Sequence, residues 1–178
     1  MNNTQRYAEH TDFSEFFCEY TERVYRWALF LGLDSSHAEE ITQDVFVTAL
    51  KKEGFPRKEP MLSAYLFQIT RRHVANFRRS SWVRRVFCSR DVSFEDSLEN
   101  DSNGELRCDE GEGEELDMRG ILATLPLKWV EVLLLHDLEG HSRSEIAKIL
   151  KIAEGTVASR LRYARAAFIE KWTMKHHG

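Results

Sequence analysis

The protein has 178 residues and a net charge of −4, enough chain for one domain of average size or two small ones. No apolar run reaches the roughly 18 residues of a membrane span, and the polar N-terminal residues do not form a signal peptide. We therefore expect a cytoplasmic protein without membrane insertion. Cys18, Cys88 and Cys108 lack C-x-x-C spacing, which argues against a disulfide framework or a zinc site.

Charge is unevenly distributed along the chain. Asp91–Asp117 contains twelve acidic residues and one basic residue, a local balance of −11, which leaves +7 for the rest of the chain. This segment is poor in aromatic residues, so we predict a flexible acidic linker. By contrast, Pro60–Arg90 contains seven arginines and no acidic residue. Cationic regions on both sides of an acidic segment favour phosphate contacts at both ends of the chain.

Three helices are predicted before the linker. The first stops at Gly32 and has apolar residues at helical spacing: Phe13, Phe16, Phe17, Tyr20, Val24, Trp27 and Leu31. Ser36 and Glu39 match a capping box, which predicts a second helix that ends before Gly54. The inner face of the second helix is expected to be Ala38, Ile41, Val45, Thr48 and Ala49. The third runs from about Met61 to Arg79, with apolar contacts from Leu62, Tyr65, Leu66, Ile69 and Phe77.

The third predicted helix interleaves aromatic residues with arginines. Arginines can hold the backbone of a separated DNA strand while planar side chains stack on its bases, so this pattern indicates single-stranded DNA binding. Some of the aromatic residues must instead belong to the core. Phe67 and Phe77 are the first candidates for that role.

A helix-turn-helix is predicted near the C-terminus. Two helices, Leu116–Leu125 and Leu127–Leu138, come first, separated by Pro126. Ser142 and Glu145 then form a capping box that begins a helix, and Lys151–Glu154 make a turn before a second helix opens at Gly155. The buried residues are expected to be Ile146, Ile149 and Leu150 in one helix, and Val157, Leu161, Ala164 and Phe168 in the next.

The outward face of the last predicted helix suits a DNA major groove. It carries small, hydroxyl, cationic and aromatic side chains: Gly155, Ser159, Arg162, Tyr163 and Ala166, flanked by Arg160 and Arg165. Small residues allow close approach, and arginine can pair with guanine edges or phosphates.

Several segments resemble the extracytoplasmic-function (ECF) sigma factors, the smallest bacterial sigma-70-type initiation subunits. Ala38–Leu50 (AEEITQDVFVTAL) resembles the helix that docks on the clamp of the largest polymerase subunit. Ala64–Arg79 (AYLFQITRRHVANFRR) resembles the promoter-melting helix. Leu122–Gly140 and Glu145–Ala166 resemble the domain that reads the minus-35 promoter element. The resemblance covers about Phe13 to Trp172, with the segments in the family's order and spacing.

The resemblance implies three binding surfaces. The surface for core polymerase comprises Glu39, Glu40, Gln43, Asp44 and Val47. The surface for the minus-10 element comprises Tyr65, Arg71, Arg72, Asn76, Arg78, Arg79 and Trp82. The minus-35 surface comprises Thr156, Ser159, Arg160, Arg162, Tyr163 and Arg165.

Four positions depart from the family's pattern. Many relatives carry asparagine where Arg72 stands and a polar or basic residue where Val130 stands. A basic residue is common at the position of Ala158, and arginine at that of Tyr163. The usual minus-35 sequence preference is therefore not expected, and Arg162 is the candidate that compensates by contacting guanine.

We expect an all-α fold of two small helical domains. Residues 1–88 form a sigma region 2-like domain, 89–115 the acidic linker and 116–178 a sigma region 4-like domain with the helix-turn-helix. By position the linker resembles the family's interdomain segment that threads the polymerase cleft; a disordered spacer is the alternative.

The resemblance implies a sigma factor that directs core RNA polymerase to promoters, with no enzymatic activity of its own. Its partners would be the clamp and the flap of core polymerase, promoter DNA and an anti-sigma factor. No nucleophile–base pair, metal-ligand cluster or phosphate-binding glycine loop is visible, so no catalytic residue, metal or cofactor is predicted. Two alternatives stay open: a stand-alone helix-turn-helix regulator that binds DNA as a dimer, and a sigma mimic that titrates an anti-sigma factor.

Overall fold

The computed structural model of the chain describes residues 3–52, 56, 59, 61–88 and 113–177, and within these the side chains of 17–52, 56, 59, 61–81 and 113–176. The described ranges contain seven α-helices and no strand, as predicted. Before the gap these are α1 (Asn3–Phe30), α2 (Ser35–Lys51) and α3 (Met61–Cys88). After it come α4 (Glu114–Ala123), α5 (Leu127–Leu133), α6 (Arg143–Leu150) and α7 (Glu154–His177). Residues 89–112, most of the predicted linker, lie outside the described ranges.

The first three helices pack around one apolar core. Val24 and Trp27 on α1 and Leu31, the residue after its end, are buried, as their helical spacing predicts. Trp27 meets Phe67 of α3 edge to face, with ring centroids 5.3 Å apart. Phe67 is therefore core, as predicted, whereas Phe77 is only partly buried and lies against the ring of His37.

The start of α2 differs from the prediction. Asp34, not Ser36, is its N-cap, and one carboxylate oxygen accepts from the His37 backbone N–H at 2.9 Å. Burial alone would raise the pKa of Asp34, but the hydrogen bonds from His37 lower it below its usual value. Because α2 already begins at Ser35, Ser36 lies inside the first turn of the helix, and the capping box predicted there is wrong. Thr48, predicted to face inward, is exposed and contacts His73 through its hydroxyl at 3.1 Å.

The second helical group begins earlier than the sequence suggests. Glu114 and Glu115, predicted to lie in the acidic linker, form the first turn of α4 together with Asp117, and the helix macrodipole favours acidic side chains there. A π-helical turn, Leu134–Leu138, continues α5, and Gly140 follows with a φ of 73°. A left-handed φ of this kind is readily adopted by glycine, so Gly140 closes the helix as expected.

The helix-turn-helix is present with one change of boundary. Both hydrogen bonds of the Ser142–Glu145 capping box form at the start of α6. The chain leaves α6 through Lys151 in the left-handed region. α7 then begins at Glu154, one residue before the predicted Gly155, because the Val157 N–H already bonds back to the Ala153 carbonyl. The expected inner residues are buried: Ile146, Ile149, Leu150, Val157, Leu161 and Ala164; Phe168 is partly buried.

Candidate nucleic-acid interface

One face of α3 presents cationic and amide side chains to solvent. Arg72, Asn76 and Arg79 are exposed and follow one another at helical spacing. Tyr65 lies on the same side of α3, nearer the N-terminus of the helix, and is partly buried. The Lys52 ammonium group is 5.0 Å from its ring centroid. A strip of this composition can hold a phosphate backbone and offer a ring to a base.

The other predicted arginines of α3 lie on a different face of the helix. Arg71 and Arg78 are partly buried. The Arg71 Nε donates to the Glu131 carboxylate of α5 at 2.5 Å, so this arginine is engaged by the second helical group. The side chain of Trp82, also predicted for this surface, lies outside the described residues. The predicted minus-10 set is therefore divided between two faces.

On the helix-turn-helix, Arg162 and Tyr163 form an exposed pair. Tyr163 is 51% exposed, and its hydroxyl accepts from Arg162 Nη2 at 3.0 Å. The guanidinium carbon lies 4.8 Å from the Tyr163 ring centroid, within the range of a cation–π contact. The Tyr163 ring also stacks with that of Trp129 on α5, with ring centroids 6.1 Å apart and an interplanar angle of 18°. Sequence patterns missed Trp129, because nothing local connects α5 with α7.

The other α7 residues predicted to bind DNA are either partly buried or already paired with another side chain. Thr156, Ser159 and Arg160 are partly buried, and the Ser159 hydroxyl donates to the Thr156 carbonyl at 3.0 Å. Arg165 is exposed but is paired with Asp137, with Nε 3.1 Å from Oδ2. Burial alone would raise the pKa of Asp137. The hydrogen bond with Arg165, and after it the hydrogen bond with His136, lower this pKa below its usual value. Asp137 thus offsets part of the positive charge of this face.

The predicted core-polymerase residues share the outward face of α2. All five are exposed: Glu39, Glu40, Gln43, Asp44 and Val47. Val47 is 47% exposed. Leu50 lies next to it at the i+3 position with equal exposure, although it was not among the predicted core-polymerase residues. The face therefore combines three carboxylates with a small apolar patch, a composition that fits a basic, partly apolar partner.

Both helical groups match known families. The sigma-70 region 2 family matches residues 16–84, and the sigma-70 region 4 family matches residues 116–168. The ECF RNA polymerase sigma factor SigL of Mycobacterium tuberculosis strain H37Rv is 32% identical over 149 residues, which span 82% of this chain and 80% of SigL. The chain belongs to the ECF sigma factor family. It is thus an RNA polymerase sigma factor, and the family is one of transcription initiation factors.

Two solved structures resemble this sigma factor. RpoE of Bartonella quintana, in complex with the anti-sigma factor NepR, matches with a TM-score of 0.70 and 25% identity, over 91% of this chain and 97% of RpoE. CnrH, in complex with the cytosolic domain of CnrY, matches in fold with a TM-score of 0.60 and 21% identity, over 89% of this chain and 85% of CnrH.

The three surfaces of the sigma factor fall within the two matched regions. The α2 face and the α3 arginines lie in region 2, and the α7 residues lie in region 4. Within the ranges that the structure describes, no helix is long and apolar enough to cross a membrane. Those ranges also hold no group of three or more side chains suited to binding a metal ion.

Proposed function

We propose that this sigma factor attaches to core RNA polymerase through α2 and holds promoter DNA at two separate places. The observation that carries the proposal is the pair of cationic surfaces on different helical groups, one on α3 and one on α7. Two such surfaces on one chain suit the two elements of a promoter better than a single operator.

The α3 surface would bind the separated strand of the minus-10 element. Its proposed contacts are Tyr65, Arg71, Arg72, Asn76, Arg78, Arg79 and Trp82. The arginines would neutralise phosphates, and a flipped base would be held by stacking, which offsets the free energy of unstacking it from the duplex.

The α7 surface would bind the minus-35 element as a duplex. Its proposed contacts are Thr156, Ser159, Arg160, Arg162, Tyr163 and Arg165. Gly155 and Ala158 leave room for the helix to enter the major groove, and exposed Arg162 can reach the edge of a guanine. Because Arg165 is shared with Asp137, we assign it to phosphate positioning rather than to base reading.

The exposed face of α2 would dock on the clamp of the largest polymerase subunit, through Glu39, Glu40, Gln43, Asp44 and Val47. Region 4 would contact the flap of the second-largest subunit. Since RpoE and CnrH are described in complexes with NepR and CnrY, we further propose an anti-sigma partner for this chain, in the cytoplasm. We assign it no catalytic chemistry of its own.

A reconstituted transcription assay tests this proposal. The purified chain is mixed with bacterial core polymerase and with promoters identified by mapping transcript starts after its controlled overproduction. We expect co-purification with core polymerase and promoter-dependent RNA. Sequence-specific DNA binding by a dimer without core polymerase would favour the stand-alone regulator. Binding to an anti-sigma factor without any promoter-dependent RNA would favour the mimic.

A further inference from the structure

Three side chains of region 4 form a continuous stack across two helices. The Trp129 ring on α5 stacks with the Tyr163 ring on α7, with an interplanar angle of 18°. The Tyr163 ring centroid lies 4.8 Å from the Arg162 guanidinium carbon, and the tyrosine hydroxyl accepts from Arg162 Nη2 at 3.0 Å. Aromatic stacking and cation–π contacts both depend on ring orientation, so the three side chains restrain one another.

The core fixes the backbone at both ends of this stack. On α7, the arginine–tyrosine pair is flanked in sequence by Leu161 and Ala164, which are both buried. On α5, Trp129 is followed by Val130, which is also buried. Side-chain rotation is therefore the main freedom left to the three residues, and the stack limits it.

Trp129 favours the tyrosine rotamer in which the arginine contact forms. Adjacent residues on a helix point about 100° apart, so Arg162 and Tyr163 meet only when their side chains lean toward each other. Tyr163 is 51% exposed, and α7 alone would leave its ring other rotamers. In the structure the ring contacts Arg162 and stacks on Trp129 at the same time. Loss of the Trp129 ring would therefore free the tyrosine and, through it, the arginine.

The stack orients Arg162 without neutralising its charge. In the described part of the chain no carboxylate pairs with Arg162, whereas Arg165 is paired with Asp137. Arg162 is held instead by a hydroxyl and a ring, which are both neutral. Its other N–H donors can therefore still meet the acceptors of a guanine edge.

We propose that Trp129 is a positioning residue for the minus-35 element, which holds the Tyr163 ring and through it directs Arg162 at a guanine. This inference rests on the proposed duplex contact of α7. A long side chain that is already ordered loses less freedom on binding, so the pair with matching acceptors gains affinity and a wrong pair does not. The selectivity of the helix-turn-helix thus depends on a residue outside its two helices.

Fluorescence anisotropy of the full chain with two duplexes tests this role. One duplex contains the mapped minus-35 element, and the other is changed at the base pair where Arg162→Ala loses selectivity. The ratio of the two Kd values is the discrimination. Trp129→Leu removes the ring, and Trp129→Phe restores one. Trp172→Leu is the matched control, because Trp172 also stacks on a neighbour, Phe168 at 5.8 Å, but farther along α7.

Trp129→Leu is expected to lower the discrimination about three- to tenfold, as when a long side chain must be immobilised on binding. Trp129→Phe should recover most of this loss, and Trp172→Leu should match the unsubstituted chain. In an Arg162→Ala background, Trp129→Leu should lower the discrimination no further, because the arginine that the ring positions is gone. Thermal melts check folding, and Trp129→Met, with a larger apolar side chain, replaces Trp129→Leu if that variant does not fold.

The possible failures separate the inference from the function beneath it. Unchanged discrimination in a folded Trp129→Leu variant, or equal weakening on both duplexes, contradicts positioning and leaves the contact of Arg162 intact. A full loss of discrimination by Trp129→Leu in the Arg162→Ala background shows that Trp129 acts by another route. Absence of discrimination at every base pair by the unsubstituted chain contradicts the proposed minus-35 contact itself and overturns both.

Discussion

Replacement of Arg162 should impair reading of the minus-35 element more than replacement of any other cation on α7. Its guanidinium is exposed and is ordered by Tyr163, so little side-chain freedom is lost when it meets a guanine. An arginine–guanine contact contributes about 1 to 3 kcal/mol of discrimination. Arg162→Ala should therefore raise the Kd for the cognate duplex about 5- to 150-fold. Arg162→Glu should lie at or beyond the upper end, because it adds repulsion from the phosphates.

Fluorescence anisotropy with a duplex that contains the mapped minus-35 element measures this effect. Lys171→Ala, which removes one exposed positive charge farther along α7, is the matched control and should stay within about twofold. Each possible base pair is tested at the position that Arg162 reads. Equal weakening on every sequence, with a salt slope reduced by about 1, would show a phosphate contact and refute base reading.

Three further substitutions test other parts of the account. Asp137→Asn should release Arg165, tighten duplex binding several-fold and steepen its salt dependence by about 1 in the log–log slope; a titration at several salt concentrations that shows no steeper slope contradicts this. Val47→Glu should reduce core-polymerase binding about tenfold in a quantitative pull-down while duplex binding stays unchanged. Ser142→Ala should lower the free energy of unfolding by about 1 kcal/mol, seen as a lower Tm in circular dichroism, whereas an unchanged Tm would mean that the cap does not stabilise α6.

The helices could be predicted from sequence because their signals are local. The i, i+4, i+7 spacing of Val157, Leu161 and Ala164 is a property of one helix, and these residues are buried as expected. The start of α2 was predicted wrongly, because the capping-box pattern selects Ser36 with Glu39. Asp34 does not match that pattern, since His37 rather than a glutamate or glutamine stands three residues after it, yet Asp34 caps the helix.

The candidate surfaces could be predicted only in part from such local patterns. Helical phase correctly indicated exposure for Arg162, Tyr163 and Ala166. It could not indicate which cations are already paired, because Arg71 meets Glu131 and Arg165 meets Asp137 across long stretches of chain. Those pairs depend on where α5 and the π-helical turn pack against other helices, and no local sequence pattern predicts that packing.

The central claim is that one chain carries core polymerase to a two-element promoter. The most direct measurement is run-off transcription with purified core polymerase, the purified chain and a mapped promoter in which either element can be scrambled. The account predicts RNA of defined length that requires the chain and falls when either element is scrambled. RNA that forms equally well without the chain, or that does not depend on the minus-35 element, would contradict it.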